Sequence, residues 1–245
     1  MPPSRTITGE KTPRRKPRFR LPAEPGLNRF EWDMRFPDAS LPPPRTNLFG
    51  ASVRGPQVVP GTYRARLTAA GTTVTQTFAI KKDPRTSTTA EEFEKQFALL
   101  MQIHERLTAT HDAIADIMAV RTDVRTAVAR AERTPAASTI AAQGTALDAS
   151  LASVQDALVQ MNIREGNDVL TYPARLNNLM AALAPVVAAT DTAPTAQSYD
   201  VFNDLSSRLD REFVRLDEIM ERQVTAFNKA VEDLHIAGVR KRFRR

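Results

Sequence analysis

Residues 60–85 read PGTYRARLTAAGTTVTQTFAIKKDPR, and this stretch decides the β part of the fold. Two runs of alternating apolar and polar residues, 62–69 and 73–81, lie on either side of Ala70-Gly71. A period of two is typical of a half-buried strand, and a short break containing Gly between two such runs indicates a hairpin. The stretch therefore predicts two antiparallel strands joined by a tight turn.

Residues 26–35 read GLNRFEWDMR, and the alternation over residues 27–36 predicts a further strand. Three apolar side chains alternate with charged ones and would share one face of that strand: Phe30, Trp32 and Met34. Several prolines follow, and since proline cannot donate a ladder hydrogen bond, residues 37–57 are predicted to form a long loop. With the hairpin, these elements predict a small β-sandwich over residues 18–86.

The chain after residue 88 has the pattern of long helices. Thr88-Thr89 stands three residues before Glu91-Glu92, which is the spacing of a capping box at a helix start. An apolar stripe at alternating steps of four and three follows, to about residue 133: Phe93, Phe97, Leu100, His104, Leu107, His111, Ile114 and Met118. Pro135 ends this helix.

Three more helices are predicted from shorter stripes, with Thr195 as the N-cap of the last. The stripes are Leu147, Leu151, Val154, Leu158 and Met161; then Leu176, Leu179, Met180, Leu183 and Val187; then Phe202, Leu205, Leu209, Phe213, Leu216, Met220, Val224, Phe227 and Val231. Such stripes need partner helices, so residues 88–235 predict an antiparallel helical bundle with two long helices. The predicted fold class is α+β, in more than one domain.

Both ends of the chain are basic, although the formal net charge is only +6. Residues 1–17 are predicted to be a flexible arm, because the N-terminal residues have too few apolar groups to offset the entropy of ordering. Residues 236–245 are predicted to be a basic tail. The Arg and Lys side chains at both ends are candidate contacts for nucleic acid or another anionic surface: Arg14, Arg15, Lys16, Arg18, Arg20, Arg240, Lys241, Arg242, Arg244 and Arg245. The alternative is that both tails are simply solvated.

Composition excludes several classes of site. The chain has no cysteine, so disulfides, cysteine-ligated metals and a cysteine nucleophile are excluded. No apolar run is long enough for a transmembrane helix, and the N-terminal residues lack the apolar region of a signal peptide. No phosphate-binding Gly-rich loop, nucleophile elbow or zincin motif is present. No cofactor is predicted.

Five short blocks together carry a family resemblance: Gly26–Arg35, Gly55–Tyr63, Asp83–Arg85, Tyr172–Leu176 and Ala193–Gln197. In this order they resemble the C-terminal region of bacterial proteins with BNR or sortilin-type β-propellers, which are often labelled glycosyl-hydrolase-like. The resemblance implies an immunoglobulin- or fibronectin III-like sandwich, a helical bundle, and an accessory role beside a propeller in exported proteins. This chain has no propeller repeats, so no catalytic residue is carried over.

The blocks define a structural signature: Asn28, Trp32, Asp33, Arg35, Pro60, Gly61, Tyr63, Asp83 and Pro84. We interpret Trp32 as a core residue, Arg35 as the partner of a nearby carboxylate, and Pro60-Gly61 as a turn in which Gly61 has a positive φ. The alternative is that Trp32 and its charged neighbours contact a ligand.

Histidines and carboxylates on the helices do not predict a metal site. His104 and His111 share one helical face but are about 10 Å apart along the axis, too far for one ion. They are interpreted as packed at a helix seam. The carboxylates of the last helix alternate with arginines at i, i+4 spacing, which is typical of a solvated face.

Three functions follow from these observations. The first is a non-catalytic accessory module that binds protein, with a propeller in cis or in trans as partner and the loop 37–57 and the helix faces as contact surfaces. The second is binding of nucleic acid or an anionic surface through the two tails. The third, a hydrolase, rests on the family label alone. Self-association of the helices stays open.

Overall fold

The computed structural model describes residues 23–41, 51, 53–163, 168 and 170–243. This part of the chain is an α+β structure with one two-stranded antiparallel sheet and four helical rods. The strands are β1, Gly61–Ala69, and β2, Thr72–Ile80. The helices are α1, Ala90–Ala131; α2, Ala137–Leu158; α3, Leu176–Val187; α4, Ala196–Glu218; and α5, Val224–Glu232, which continues α4 through the π-helical turn Ile219–Gln223.

The predicted hairpin is confirmed. β1 and β2 pair antiparallel from Gly61 opposite Ile80 to Ala69 opposite Thr72. Ala70 and Gly71 form the turn with φ of 48° and 78°. Two consecutive positive φ values are the signature of a type I′ turn, whose twist matches that of the strands. Glycine suits this position because it adopts positive φ without steric cost.

The strand predicted over residues 27–36 does not form, and this prediction was wrong. Met34 has a φ of 57°, so the backbone leaves the extended conformation inside the predicted strand. Only an isolated bridge joins Arg35 to Gln57. Within the described residues the sheet therefore has two strands, and the complete sandwich remains a prediction.

Helix α1 begins where the sequence predicted. Thr89 is its N-cap, and the Thr89 side chain and the Glu92 side chain each accept a hydrogen bond from the other residue's backbone N–H. The helix has 42 residues, which is about 63 Å. Its first half is buried on two sides: Leu99 and Ile103 lie in the apolar core, while Phe97 packs on Phe36 at a ring-centroid distance of 5.3 Å.

The other helices surround α1 and share one apolar core. The predicted stripes supply much of it, including Leu151, Met180, Leu209 and Phe227, each almost inaccessible to solvent. Thr195 is the N-cap of α4, as predicted, and its hydroxyl accepts from the N–H of Ser198. Met161 lies beyond the end of α2 and is 43% exposed, so it does not belong to the predicted stripe.

A charged network joins α1 to α2 beside this core, with the Arg121 and Asp148 side chains half-buried. The Arg121 guanidinium donates to both carboxylate oxygens of Asp148 at 2.8 and 2.9 Å and to the Gln155 side chain at 2.6 Å. The Asp148 side chain is 26% exposed. Hydrogen bonding from Arg121 holds the pKa of the Asp148 carboxyl below its usual value, with burial acting in the opposite direction.

We expect Asp148→Asn to lower the free energy of unfolding at pH 7 by about 1.5–3 kcal/mol, the range for a hydrogen bond to a charged group. The folded-state pKa of Asp148 lies below the unfolded value of about 3.9. The stabilisation is therefore complete above that value and disappears as the pH falls through the folded pKa. Urea unfolding at pH 7 and pH 3 measures this, and the difference between variant and wild type should shrink at pH 3.

Asp204→Asn is the matched control. Asp204 forms an i, i+4 pair with Arg208 in which the side chains are 67% and 42% exposed. An exposed pair of this kind contributes about 0.3–0.5 kcal/mol. If the two variants lost the same stability at pH 7, or if the loss in Asp148→Asn did not depend on pH, the network would not have the stabilising role described.

Candidate functional site

The base of the hairpin is an aromatic cluster that contains the single Trp of the chain. Trp32 contacts Tyr63 and Phe78 edge-on at centroid distances of 6.1 and 6.4 Å, and these two rings lie 6.0 Å apart across the strand pair. The Trp32 indole N–H donates to the Arg35 carbonyl at 3.1 Å, and the Tyr63 hydroxyl donates to the Val59 carbonyl at 2.6 Å. Through these contacts, the signature residues Trp32 and Tyr63 hold the base of the hairpin against the segment that contains Trp32 and Arg35.

Beneath this cluster, residues 33–39 and 53–58 run side by side. Backbone N–H groups of Phe36 and Val58 donate across the pair to Pro56 and Met34 at 2.9 and 2.8 Å. The Arg35 guanidinium donates to the Gly55 carbonyl at 3.1 Å, whereas the sequence predicted a carboxylate partner. We call these two segments the pedestal of the hairpin.

The remaining signature residues have local structural contacts. The Asn28 side chain exchanges hydrogen bonds with the backbone of Glu24. Asp83 binds Arg85 through a carboxylate–guanidinium pair of 2.6 Å at the turn that also contains Pro84. The positive φ predicted for Gly61 was wrong, since the positive-φ glycines of the described chain are Gly26 and Gly71. Gly61 instead begins β1, directly after Pro60.

The two histidines of α1 bind the start of the segment that was predicted as an exposed loop. The imidazole Nε2 of His104 lies 2.9 Å from the Pro37 carbonyl oxygen, and Nδ1 of His111 hydrogen-bonds the Ser40 carbonyl. Burial lowers the pKa of His111, and its bond to Ser40 acts against that shift. Because Ala39 is buried between them, the described start of loop 37–57 is packed on α1 and is not an open contact surface.

The hairpin itself is almost entirely exposed. Of its eighteen residues only Tyr63 is buried. Past the aromatic base, the same face carries the pair Ala65 and Gln76 and then the apolar cross-strand pair Leu67 and Val74, which are 57% and 61% exposed. Phe78, at the edge of the base, is 37% exposed. A row of apolar side chains on a projecting hairpin is therefore accessible to a second molecule.

The charge of the hairpin is of one sign. Residues 61–82 contain four basic side chains and no Asp or Glu: Arg64, Arg66, Lys81 and Lys82. Both arginines lie on the face opposite the apolar row, beside Thr77 and Thr75 of β2. The hairpin thus combines an apolar face with a basic face.

A cleft of about 540 Å³ lies between the pedestal, the first half of α1 and the end of α3. Its walls include Phe93, Leu100 and Val58. Polar side chains at its rim bind the chain itself: the Gln96 amide donates to the Val187 and Thr190 carbonyls at 2.9 and 2.5 Å, and Lys82 donates to the Thr88 carbonyl at 2.8 Å. The cleft is therefore a seam between elements with a mixed polar and apolar lining, and the polar side chains named here are bound within the chain.

The basic C-terminal tail is attached to the helices as far as the structure describes it, to residue 243. The Asn228 side chain exchanges hydrogen bonds of 2.6 and 2.7 Å with the Val239 backbone, and Phe243 packs on Phe213 at 5.8 Å. The predicted anion contacts Lys241 and Arg242 pair with Glu221 and Asp123 at 2.8 and 3.2 Å. Arg240 is exposed.

The other predicted anion contacts lie outside the described residues: Arg14, Arg15, Lys16, Arg18, Arg20, Arg244 and Arg245. The same is true of the predicted arm, residues 1–17. In the part of the chain that is described, no three His, Asp or Glu side chains converge as metal ligands, and no helix has the length and apolar character needed to span a bilayer.

No family model matches this chain, and no curated protein or solved structure matches it either. The resemblance to propeller-associated proteins therefore remains a prediction, and the functional argument rests on the geometry. Two features were not predicted from the sequence: the contacts of the two histidines with the pedestal and the attachment of the C-terminal tail to the helices. Both join residues far apart in the chain, and no local pattern marks them.

Proposed function

We propose that this chain is a non-catalytic protein-binding module and that the hairpin β1–β2 is its docking element. The observation that carries the proposal is the open apolar row from Phe78 to Leu67 and Val74 on a hairpin with one buried residue. Exposed apolar side chains grouped on one face of a projecting element, here with Ala65 and the polar Gln76 between the two apolar pairs, are typical of a site that a second protein covers.

The stability of the hairpin also favours a bound partner. An isolated two-stranded sheet is at best marginally stable in water and needs further strands or a packed face. Here Trp32 covers the face near the base, whereas the outer half of the nine-residue strands has no such cover among the described residues. Burial of Leu67 and Val74 by a partner would supply roughly 25 cal/mol for each Å² of apolar surface removed from water.

The charge of the hairpin indicates the chemistry of the partner. Because residues 61–82 carry only positive charges, the complementary surface is apolar with acidic groups around it. The family resemblance supports a β-propeller, in cis or in trans, as the protein that bears this surface. Exported or periplasmic localisation is part of the same proposal and rests on the resemblance alone.

The finer architecture is also proposed. The hairpin would belong to one sheet of an immunoglobulin- or fibronectin III-like sandwich that leaves the outer half of the hairpin open for the partner, and the helices would form an antiparallel bundle. The antiparallel pairing of β1 with β2 and the single core shared by the helices support this proposal.

Binding of nucleic acid or an anionic surface through the tails has less support. Lys241 and Arg242 neutralise Glu221 and Asp123, and Phe243 packs on Phe213 and so has one face occupied. A polyanion would have to compete with these contacts. The hydrolase alternative gains no catalytic residue from the described structure.

The proposal is tested by a photo-reactive benzoylphenylalanine at position 67, with the same residue at Val214, 47% exposed on α4, as the matched control. In source cells we expect a covalent adduct from position 67 and none from position 214. The adduct partner is then purified. Its dissociation constant for Leu67→Ser/Val74→Ser should rise at least about tenfold, which corresponds to 1.4 kcal/mol, relative to wild type and Val214→Ser.

Adducts of equal intensity from both positions would contradict the proposal. So would a partner whose affinity is the same for the hairpin double variant and for wild type. The double variant changes two exposed side chains, so its helix content and thermal unfolding should match wild type, and this is checked by circular dichroism.

A further inference from the structure

We propose that the partner of this hairpin contributes an extended, acidic segment that adds as a third strand along the outer edge of β2. This inference rests on the proposed docking function and specifies how the partner binds. It is carried by the geometry of the β2 edge, the distribution of charge between the two strands, and the short side chains that separate them.

The backbone groups of alternate β2 residues point away from β1. Residues flanking a two-residue type I′ turn form a hydrogen-bonded pair, and such pairs alternate with non-hydrogen-bonded ones along an antiparallel ladder. With Ala69 opposite Thr72, the non-hydrogen-bonded positions on β2 are Thr73, Thr75, Thr77 and Ala79. The hydroxyls of Thr68 and Thr73 lie 2.9 Å apart, in keeping with the closer spacing of such a pair.

Only one of the two edges carries protection against an added strand. Natural edge strands are commonly blocked by charged side chains, prolines or bulges. β1 carries Arg64 and Arg66, whereas Thr72–Ile80 contains no charged residue and no proline. Among the described residues β1 is the one strand neighbour of β2. The unprotected edge is therefore that of β2.

The arginines of β1 determine the charge of the segment that fits. Arg66 lies opposite Thr75 and Arg64 opposite Thr77 on the same face of the sheet. A third strand would lie about 4.8 Å beyond β2, and the threonines are short enough for the arginine side chains to extend over them. An acidic side chain of the added strand would then meet the Arg66 guanidinium, while alternate apolar side chains of that strand would lie beside Val74 and Phe78 on the other face.

The test uses the full chain and a capped nine-residue peptide of alternating Val and Glu, the length of β2. Amide chemical shifts are followed by NMR up to about 5 mM peptide, a range that detects millimolar affinity. We expect the largest shifts at the outward amides of Thr73, Thr75 and Thr77. A peptide with Lys in place of Glu should bind at least about tenfold more weakly.

Thr75→Pro is the decisive variant, with Thr75→Ala as its matched control. Proline is tolerated on an edge strand where its nitrogen faces outward, so the β1–β2 ladder should persist while the outer edge loses a donor. We expect the variant to lose the peptide shifts and to bind the cross-linked partner at least tenfold more weakly, whereas Thr75→Ala does neither.

Strand addition is overturned if no outward amide shifts, if the Lys peptide binds as well as the Glu peptide, or if Thr75→Pro binds like wild type. When Leu67→Ser/Val74→Ser loses the partner but Thr75→Pro keeps it, the docking function stands and the added strand fails. A concentration-dependent dimer that Thr75→Pro abolishes, without any peptide binding, would instead identify a second copy of this chain as the occupant.

Discussion

We expect Gly55→Ala to push the two segments of the pedestal apart and to release the hairpin. The free energy of unfolding should fall by at least about 3 kcal/mol, the upper end of the range for overpacking. An added Cβ at Gly55 would lie 1.9 Å from the Phe36 carbonyl oxygen and 2.5 Å from that of Pro37. Both are backbone atoms and cannot turn aside as a flexible side chain could. The two segments would have to move apart.

That movement would break the hydrogen bonds across the pedestal, including the one from the Arg35 guanidinium to the Gly55 carbonyl. Trp32 is the single Trp of the chain and lies at the top of the pedestal, so its emission reports on this region alone. We expect emission of the folded variant to shift to longer wavelength, while circular dichroism at 222 nm shows that the helices persist.

Gly61→Ala provides the matched control for this substitution. The nearest atom to a Cβ at Gly61 is the Tyr63 Cε2 at 3.8 Å, which is an ordinary van der Waals distance. Its stability should therefore stay within about 0.5 kcal/mol of wild type. A Gly55→Ala protein with unchanged Trp32 emission and unchanged urea unfolding would show that the pedestal is not packed as described.

Trp32→Ala is expected to undock the hairpin without unfolding the helices. Truncation of a packed core Trp to Ala lowers the free energy of unfolding by about 3–5 kcal/mol. Because Trp32 is only half-buried, we expect a decrease at the low end of this range, about 3 kcal/mol. The variant removes both edge-on contacts, to Tyr63 and to Phe78, together with the hydrogen bond to the Arg35 carbonyl.

Hydrogen exchange measured by mass spectrometry follows this directly. Exchange over residues 61–80 should accelerate by at least about thirtyfold, which corresponds to 2 kcal/mol, while exchange in α2 and α4 stays as in wild type. Trp32→Phe keeps a ring against the hairpin and loses only part of the contact, so it should give an intermediate rate. Wild-type protection of the hairpin in Trp32→Ala would contradict its role as the anchor.

The sequence predicted those elements whose signals are local. The hairpin follows from alternation around Ala70-Gly71, and the start of α1 follows from the reciprocal bonds of Thr89 and Glu92. Each depends on residues at most a few positions apart. Tertiary packing does not override these local signals, because it stabilises the same hairpin and the same helix start that the signals predict.

The predictions that were wrong or incomplete concern residues whose conformation depends on contacts between distant segments. Residues 27–36 alternate as a strand does, but Trp32 packs on the hairpin and Met34 turns the backbone to positive φ. The single stripe predicted on α1 omitted Leu99 and Ile103, because a repeat of seven selects one face and α1 is buried on two. Neither arrangement can be seen without the partner segment.

The π-helical turn at Ile219–Gln223 has no distinguishing signal in the sequence. Along the last stripe, Leu216, Met220 and Val224 follow one another at two consecutive steps of four, but Leu205, Leu209 and Phe213 do the same within the regular helix α4. The side chains on both sides of the turn, including Leu216 and Val224, are buried.

The uncharged edge of β2 has a consequence for the behaviour of the protein in solution. Thr72–Ile80 combines high β propensity with no charge, which is the composition of segments that stack into cross-β assemblies. Without a bound partner, colloidal stability depends on the net charge of +6, whose repulsion is screened beyond about 8 Å at physiological ionic strength. Concentrated stocks of the unbound protein will therefore keep best at low salt.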